Sequence, residues 1–261
     1  MYGFIIKDDR RYDYAQKFLE QNGFTIQNEI NNQTNFILFP FKKNIDCKFY
    51  DEKFFGVLDK NILIFSGVEN DYIKNMCQDK KLSYFPIMNS DYVAILNAVP
   101  TAEGIISYLI QNRIETIMNS KVLIIGYGRC GKIIAQKLSL LGAKVFVNTL
   151  NKSDYAIAFS NKLKPFYELN LADQSFDIII NTAPCKTIDD KNLQLLSEET
   201  LLIDITRVGF DLELARKKNS LSNRLLSIPS KFALRTAGEI LGKYIYEKVI
   251  ECLMERKLDS V

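Results

Sequence analysis

Short runs of apolar residues alternate along the chain with longer stretches in which apolar positions recur at helical spacing. This alternation predicts β-α-β units built around a parallel sheet. A first α/β domain over residues 1–99 is predicted to contain strands at 3–7, 24–27, 35–39, 61–65 and 82–85, and helices at 11–21 and 70–77.

A long helix is predicted over 100–118, where it would link two domains. Pro100 marks a break, Thr101 can cap the helix, and Glu103 suits its positive end. A second α/β domain is expected over 119–232, and a C-terminal helix within 233–261 is expected to pack back on the first domain. The elements predicted for these two regions are strands at 121–125, 143–147, 176–180 and 201–205, and helices at 132–141 and 236–255. The fold class is therefore two Rossmann-like α/β domains.

The composition narrows the chemistry chiefly through what is missing. The chain has no histidine, which excludes Ser-His-Asp and Cys-His catalytic units and histidine-ligated metals. The five cysteines are scattered without a CxxC pair, which favours a reducing cytoplasm with neither disulfides nor a zinc site. A net charge of +3 is too small to indicate a nucleic-acid partner, and no apolar run long enough to span a membrane is evident.

A glycine-rich turn joins the predicted strand 121–125 to the helix that follows it. Its sequence is Gly126-Tyr127-Gly128-Arg129-Cys130-Gly131, a G-x-G-x-x-G fingerprint placed between strand and helix. In such a turn the first glycine permits the tight bend, the second leaves room for a pyrophosphate, and the third lets the helix approach the strand. The turn predicts dinucleotide binding, the alternative being a domain of this type that no longer binds a nucleotide. Tyr127 would shield the cofactor or lie on the surface, whereas Cys130 is expected to pack rather than react.

The second strand of this domain ends without the acid that usually binds the ribose of NAD. Asn148 and Thr149 are neutral, and Lys152 is basic. This set tolerates a 2′-phosphate and favours NADP over NAD, although Lys152 suits a solvated helix start equally well. Two later strand ends carry polar residues where the nicotinamide would lie: Asn181-Thr182-Ala183-Pro184 and Asp204-Ile205-Thr206-Arg207. Each also fits a plain alternative, an ordinary turn for Pro184 and a buried structural acid for Asp204.

The chain resembles the dipicolinate synthase A subunits over nearly its whole length. The segments that carry the resemblance are Asp9-Arg10-Arg11, Ile64-Phe65-Ser66-Gly67, Asn97-Ala98-Val99-Pro100-Thr101-Ala102-Glu103-Gly104, Gly126-Tyr127-Gly128-Arg129-Cys130-Gly131-Lys132, Asn181-Thr182-Ala183-Pro184 and Arg235-Thr236-Ala237-Gly238. The resemblance implies NADP-dependent oxidation of a dihydro- or tetrahydrodipicolinate-type dicarboxylate to pyridine-2,6-dicarboxylate. It also implies a partner, the flavoprotein-like B subunit of dipicolinate synthase, and a role in the mother-cell cytoplasm during sporulation.

Several residues fit such a reaction. Arg129, Arg207 and Arg235 are expected to bind substrate carboxylates, which arginine holds bidentately. Glu103 is the candidate base, or only an acid placed for the helix dipole, and Thr101, Thr182 and Thr236 complete the predicted catalytic set.

The chain departs from the family pattern at 206–210 and 228–235 and is shorter after Pro40. These differences keep two alternatives open: a non-catalytic, cofactor-binding subunit, and a dehydrogenase for another small carboxylate.

Overall fold

A computed structural model describes residues 1–41, 50–169, 171, 175–219 and 221–258. Cys47 lies outside the described residues. The chain divides into two compact units, one formed by Met1–Asn97 with Ala233–Val261 and the other by Ala98–Phe232. Each unit is an α/β structure with its own parallel sheet, which confirms the predicted fold class.

The strands run in chain order as β1 (Tyr2–Ile5), β2 (Thr25–Ile26), β3 (Thr34–Leu38), β4 (Leu63–Ser66), β5 (Ser83–Pro86), β6 (Lys121–Ile125), β7 (Lys144–Asn148), β8 (Lys164–Phe166), β9 (Ile178–Asn181), β10 (Leu201–Asp204) and β11 (Asn223–Arg224). The helices are α1 (Arg11–Gln21), α2 (Glu52–Gly56), α3 (Asp71–Lys80), α4 (Asp91–Asn112), α5 (Arg129–Leu140), α6 (Lys152–Ser160), α7 (Asp190–Leu195), α8 (Leu212–Lys218) and α9 (Leu234–Leu258). Short 3-10 turns lie at Ile87–Asn89 and Ile228–Ser230.

The first unit has the strand order β2-β1-β3-β4-β5, and its paired strands are parallel. One face of this sheet is covered by α1 and the C-terminal helix α9, whose Leu241 and Ile245 share a core cluster with Tyr12 and Leu19. A separate cluster that includes Ile64 and α3 covers the opposite face. The C-terminal helix therefore completes the core of the unit in which the chain begins.

The second unit has the strand order β11-β10-β9-β6-β7-β8, again with parallel pairs. Successive residues of β6 enter different clusters, Val122 and Ile124 one and Leu123 and Ile125 another. This alternation follows from the two-residue period of a strand, which sends neighbouring side chains to opposite faces. Both faces of the sheet are consequently buried, as in other doubly wound folds.

Several helices, in both units, begin at residues whose side chains bond to backbone N–H groups. Asn70 accepts from Ile73 N at the start of α3, and Asn151 accepts from Asp154 N at the start of α6. Asp211 accepts from the backbone of α8 at 2.9 and 3.0 Å. Such caps satisfy N–H groups that a helix leaves unpaired, so polar residues ahead of an apolar stretch set these boundaries.

Both boundaries predicted for the linking helix, residues 100 and 118, are wrong. The helix α4 begins at Asp91 and ends at Asn112, with Pro100 inside it, so neither a break at Pro100 nor a cap at Thr101 occurs. Ala98, Ala102 and Ile105 are buried on either side of Pro100. Because packing stabilises both halves, the helix continues despite the backbone hydrogen bond that proline removes.

The true length of α4 also changes the membrane prediction. By length and composition alone α4 could cross a bilayer, contrary to the sequence-based expectation, but half of its most apolar stretch is buried within the structure. A core helix of a water-soluble protein has the same properties. Elsewhere the differences are small: β8, β11 and α2 were not predicted, and α5 begins directly after Gly128.

Candidate functional site

The C-terminal ends of the strands in the second unit align in one row across the sheet. Ile125 of β6 is paired with Asn148 of β7 on one side and with Asn181 of β9 on the other. Asn181 is paired with Asp204 of β10, and Asp204 with Arg224 of β11. This edge is where ligands bind in open α/β sheets, and the row brings together polar residues far apart in sequence.

The glycine turn begins at this row and leads into α5. Gly126 has a φ of +87°, a left-handed conformation that glycine adopts without strain. Gly131 packs against the turn so closely that an added Cβ would collide with Gly126 O. Gly128 is the N-cap of α5 without a side-chain cap, and an added Cβ there would meet no atom within 4 Å. The turn is thus tight at its two ends and open in its middle, as a dinucleotide pyrophosphate requires.

Thr182 ties the glycine turn to the end of β9. Its Oγ1 lies 3.0 Å from Ile125 O and 3.1 Å from Gly126 O, and its N–H donates to Ile125 O at 2.8 Å. The hydroxyl of Thr182 therefore donates its hydrogen bond to backbone carbonyls at the start of the turn. Ala183 is half-buried and Pro184 exposed beyond it, at the strand end where the nicotinamide was predicted.

Three residues within the turn and the start of α5 differ in exposure. Tyr127 is only 3% exposed and belongs to a core cluster, so of its two predicted alternatives the surface tyrosine is wrong, and shielding of the cofactor stays a prediction. Cys130 is half-buried, and burial raises the pKa of its thiol. Arg129 is exposed at the first position of α5. Of the three, Arg129 is the side chain best placed to contact a bound anion.

The end of β7 presents no carboxylate to a ribose. Asn148 and Thr149 are both buried, and Asn148 Nδ2 donates to Tyr167 O at 2.9 Å. Asp154 lies in the first turn of α6 and forms an ion pair of 2.7 Å with Lys132 of α5. Lys152 is exposed at the first position of α6. Apart from the paired Asp154, the polar residues from 148 to 154 are neutral or basic.

A buried hydrogen-bond network occupies the ends of β9 and β10. Asn181 and Asp204 are both 0% exposed, and Asn181 Nδ2 donates to Asp204 Oδ1 at 3.0 Å. Thr187 Oγ1 donates to Asn181 Oδ1 at 3.0 Å. Arg224 Nε forms a 3.0 Å ion pair with Asp204 Oδ2. Asp204 is therefore a structural acid, the plainer of the two interpretations considered from sequence.

The loop after β10 carries Arg207 at its tip. Arg207 and Val208 are exposed, whereas Gly209 and Phe210 are buried. Since β10 is two strands away from β6, the start of this loop lies roughly 10 Å from the start of the glycine turn. Arg207 is thus an exposed cation in the loop after β10, and its predicted role in carboxylate binding stays a prediction.

Glu103 does not lie where the sequence suggested. It is in the interior of α4, in the same compact unit as the glycine turn, and its Oε1 lies 3.0 Å from Lys137 Nζ. Lys137 is eight residues into α5, about 12 Å along the helix from the glycine turn. Thr101 is buried in the same helix. Glu103 therefore forms a partly exposed ion pair and is not a carboxylate at the start of a helix.

Arg235 and Thr236 belong to the first unit, in the first turn of α9. Both are exposed, and Arg235 Nε donates to Glu239 Oε1 at 2.8 Å, one turn along the helix. Their predicted catalytic roles remain predictions. Among the described residues no group of three His, Cys, Asp or Glu could hold a metal ion.

The sequence pattern missed Arg224 and its ion pair with Asp204. The strand β11 is only two residues long, so no alternation of apolar and polar positions indicates it. Only the pairing of β10 with β11 brings the two charges together. The sequence did indicate Asn181 and Asp204, because each is a polar residue at the end of an apolar strand, at the edge where parallel sheets bind ligands.

Comparison with known proteins agrees with this geometry. Residues 103–210 match the family model described as D-isomer specific 2-hydroxyacid dehydrogenase, NAD binding domain. The A subunit of dipicolinate synthase from Bacillus subtilis (strain 168) is 32% identical over 197 residues, which is 74% of this chain and 66% of that protein. The aligned segment thus spans just under two thirds of the relative.

Two solved structures extend the similarity over most of the chain. The A chain of dipicolinate synthase from Bacillus subtilis has a TM-score of 0.88 at 25% identity and covers 98% of this chain and 97% of that one. The A subunit of dipicolinate synthase from Bacillus halodurans has a TM-score of 0.83 at 25% identity and covers 95% and 97%. The chain therefore belongs to the dipicolinate synthase A-subunit family.

Proposed function

We propose that this protein oxidises a cyclic dihydrodipicolinate-type dicarboxylate to dipicolinate with NADP+ as the hydride acceptor. The observation that carries the proposal is the shared sheet edge, where the open glycine turn and the exposed Arg207 lie two strands apart. The glycine turn holds the dinucleotide, and Arg207 receives a carboxylate of the substrate. The family relationship supplies the substrate class, which the proposal extends to this chain.

The glycine turn is suited to a dinucleotide. The helix α5 has no side-chain cap, so N–H groups of its first turn are available to the pyrophosphate, and the helix dipole favours the anion. The open space above Gly128 gives the phosphates access to the backbone. When bound, the nicotinamide ring supplies the acceptor for a hydride.

Binding and orientation of the substrate are assigned to Arg207. Its guanidinium can hold one ring carboxylate through two parallel hydrogen bonds, which fixes the ring in plane and in register with the acceptor. Without any histidine, the proton released as the ring becomes aromatic must pass to a carboxylate, a hydroxyl or water. Since aromatisation itself favours the product, orientation is the main task left to the protein.

The basic and neutral surface at the end of β7 supports NADP rather than NAD. Asp154 is held by Lys132, so no free carboxylate remains among residues 148–154 to bind a ribose 2′-hydroxyl or repel a 2′-phosphate. Lys152 and Arg129 are the exposed cations at the starts of α6 and α5. We assign the 2′-phosphate to these two side chains, with NAD as the alternative cofactor.

The proposal includes a partner and a cellular setting. A protein of the A-subunit family implies a second subunit, and the flavoprotein-like B subunit is the proposed partner. The mother-cell cytoplasm of a sporulating bacterium is the proposed location. Co-expression of the two chains should yield a complex on gel filtration, and two separately eluting proteins would contradict this part of the proposal.

The decisive test is an activity measurement with both cofactors. Purified protein is incubated with enzymatically generated dihydrodipicolinate and with NADP+ or NAD+, while the ultraviolet absorbance of dipicolinate and the appearance of reduced cofactor are followed. Formation of both products in equal amounts supports the proposal. Cofactor binding without turnover, whether or not the B subunit is present, would identify a non-catalytic protein.

A second candidate is oxidation of a D-2-hydroxy acid, favoured by the family model that matches residues 103–210. The absence of histidine counts against it, because no imidazole is available to remove the hydroxyl proton. A panel of 2-hydroxy acids measured beside dihydrodipicolinate separates the two. Greater turnover with any hydroxy acid would favour the second candidate.

A further inference from the structure

We propose that Arg224, acting through Asp204, is a positioning residue that fixes the loop 205–210 and thereby sets the affinity of Arg207 for a substrate carboxylate. The inference rests on the proposed function of Arg207. It adds a residue that contacts neither substrate nor cofactor but governs how the binding arginine is presented.

Several hydrogen-bond donors surround the buried carboxylate of Asp204. Asp204 Oδ1 accepts from Thr206 N at 2.9 Å and from Thr206 Oγ1 at 2.7 Å. Asp204 Oδ2 accepts from Gly209 N at 3.2 Å and from Arg224 Nε at 3.0 Å. The loop is therefore folded around the carboxylate and bonded to it near both ends.

Arg224 makes an additional contact with the loop. Arg224 Nη2 donates to Phe210 O at 2.6 Å, so one guanidinium joins the buried carboxylate to the far end of the loop. The arginine is itself held by strand pairing, since Leu225 N donates to Asp204 O at 2.8 Å. Loss of Arg224 would leave a buried charge without its counter-ion and would release the loop at Phe210.

The exposed part of the loop 205–210 is its middle. Thr206, Gly209 and Phe210 are engaged with the network, whereas Arg207 and Val208 are exposed between them. Arg207 thus extends from a backbone that is fixed on both sides. Preorganisation of this kind reduces the ordering cost of binding, so its loss is expected to appear in substrate affinity.

The test uses two variants of Arg224 and a matched control. Arg224→Lys keeps the charge beside Asp204 but lacks the planar fork that reaches both Asp204 and Phe210, and Arg224→Met removes the charge. Arg216→Met is the control, because Arg216 also lies beside β11 but bonds to Ser222 O and Asn223 Oδ1 rather than to the loop. If Arg224→Met fails to fold, the double variant Arg224→Met with Asp204→Asn removes both charges of the pair.

Two measurements are made on the full chain. The first is hydrogen exchange of the Thr206 and Gly209 amides, which does not depend on turnover. The second is steady-state kinetics with dihydrodipicolinate at saturating NADP+, together with the dissociation constant of NADPH. We expect Arg224→Lys to accelerate exchange at both amides about tenfold and to raise KM about tenfold, with kcat and NADPH affinity within twofold of wild type. Arg216→Met should leave both the amide exchange and the KM unchanged.

The outcomes separate the possible failures. Unchanged exchange and unchanged KM in Arg224→Lys would overturn the inference, as would equal loss of substrate and cofactor affinity, which indicates a general structural role. If the wild type shows no turnover, the proposed function fails, but faster exchange confined to the loop would still establish Arg224 as its anchor. Faster exchange with unchanged KM in an active enzyme would show that the anchored loop does not position the substrate and would also overturn the inference.

Discussion

Exchanging two glycines of the same turn for alanine should separate cofactor contact from fold stability. Gly128→Ala adds a methyl group where no protein atom lies within 4 Å, at a φ of −76° that alanine adopts freely. Gly131→Ala adds the same group where it collides with Gly126 O. Gly126 O cannot move away easily, because the backbone of Gly126 is held on two sides. Gly126 N donates to Asn148 O at 2.9 Å, and Thr182 Oγ1 donates to Gly126 O itself.

The expected magnitudes follow from these surroundings. Gly128→Ala should change the free energy of unfolding by no more than about 0.5 kcal/mol, because the lower entropy of the unfolded chain offsets the poorer helix cap that alanine provides. It should weaken NADPH binding by a factor of ten or more, because the added methyl group occupies the space through which the pyrophosphate reaches the backbone. A tenfold loss of affinity corresponds to about 1.4 kcal/mol. Gly131→Ala should destabilise the protein by about 1–3 kcal/mol, as overpacking of a fixed backbone does.

Thermal melting without cofactor and fluorescence titration with NADPH measure the two effects on the same samples. A loss of about 1–3 kcal/mol should lower the melting temperature by several degrees in Gly131→Ala but not in Gly128→Ala. Gly56→Ala, at a position in the first unit where an added Cβ also meets nothing within 4 Å, is the control for the substitution itself. Wild-type NADPH affinity in Gly128→Ala would refute the assignment of the pyrophosphate to this turn. Wild-type melting of Gly131→Ala would refute the close approach of α5 to the turn.

Three further predictions concern charges and thiols. Lys152→Ala should weaken NADP+ binding about fivefold and leave NAD+ binding unchanged, because only NADP+ carries the 2′-phosphate, and equal effects on both cofactors would contradict the assignment. Arg207→Lys should raise the KM for dihydrodipicolinate at least tenfold at unchanged NADPH affinity, since lysine cannot hold a carboxylate bidentately, and an unchanged KM would exclude this contact. Iodoacetamide at pH 8 should label the exposed Cys185 before Cys130 and Cys77. Burial raises the pKa of the Cys130 thiol and raises that of Cys77 to about 12, so few of these thiols are ionised and reactive. Mass spectrometry of the digested protein gives the order of labelling. Earlier labelling of Cys77 than of Cys185 would show that its surroundings open in solution.

Much of the fold could be predicted because local sequence determines it. The strand 121–125, the glycine turn and the helix after it were predicted in order, and the described structure contains them with small shifts in boundary. Apolar runs of strand length and glycines with special backbone requirements are properties of neighbouring residues, so they are visible without tertiary structure. The prediction failed at Pro100, where a local signal for a helix boundary was overridden by burial of the residues on both sides.

The candidate site was less predictable, because its details depend on which strands become neighbours. Glu103 was assigned as a base from its place after Pro100, but packing of α4 against α5 gives it Lys137 as a partner. The place of Thr182 beside the nicotinamide stays a prediction, but only the pairing of β9 with β6 shows that its hydroxyl donates to backbone carbonyls of the turn.

The sequence by itself determined that the protein has parallel α/β units, that one carries a dinucleotide turn, and that no histidine takes part in its chemistry. These properties follow from the periodicity of apolar residues, from the backbone requirements of glycine and from composition. Only the tertiary structure decided that Asp204 would be a buried anchor and that Arg224 would be its counter-ion. The physical reason is that a charge becomes structural or functional through its burial and its partners, and both are set by contacts between residues distant in sequence.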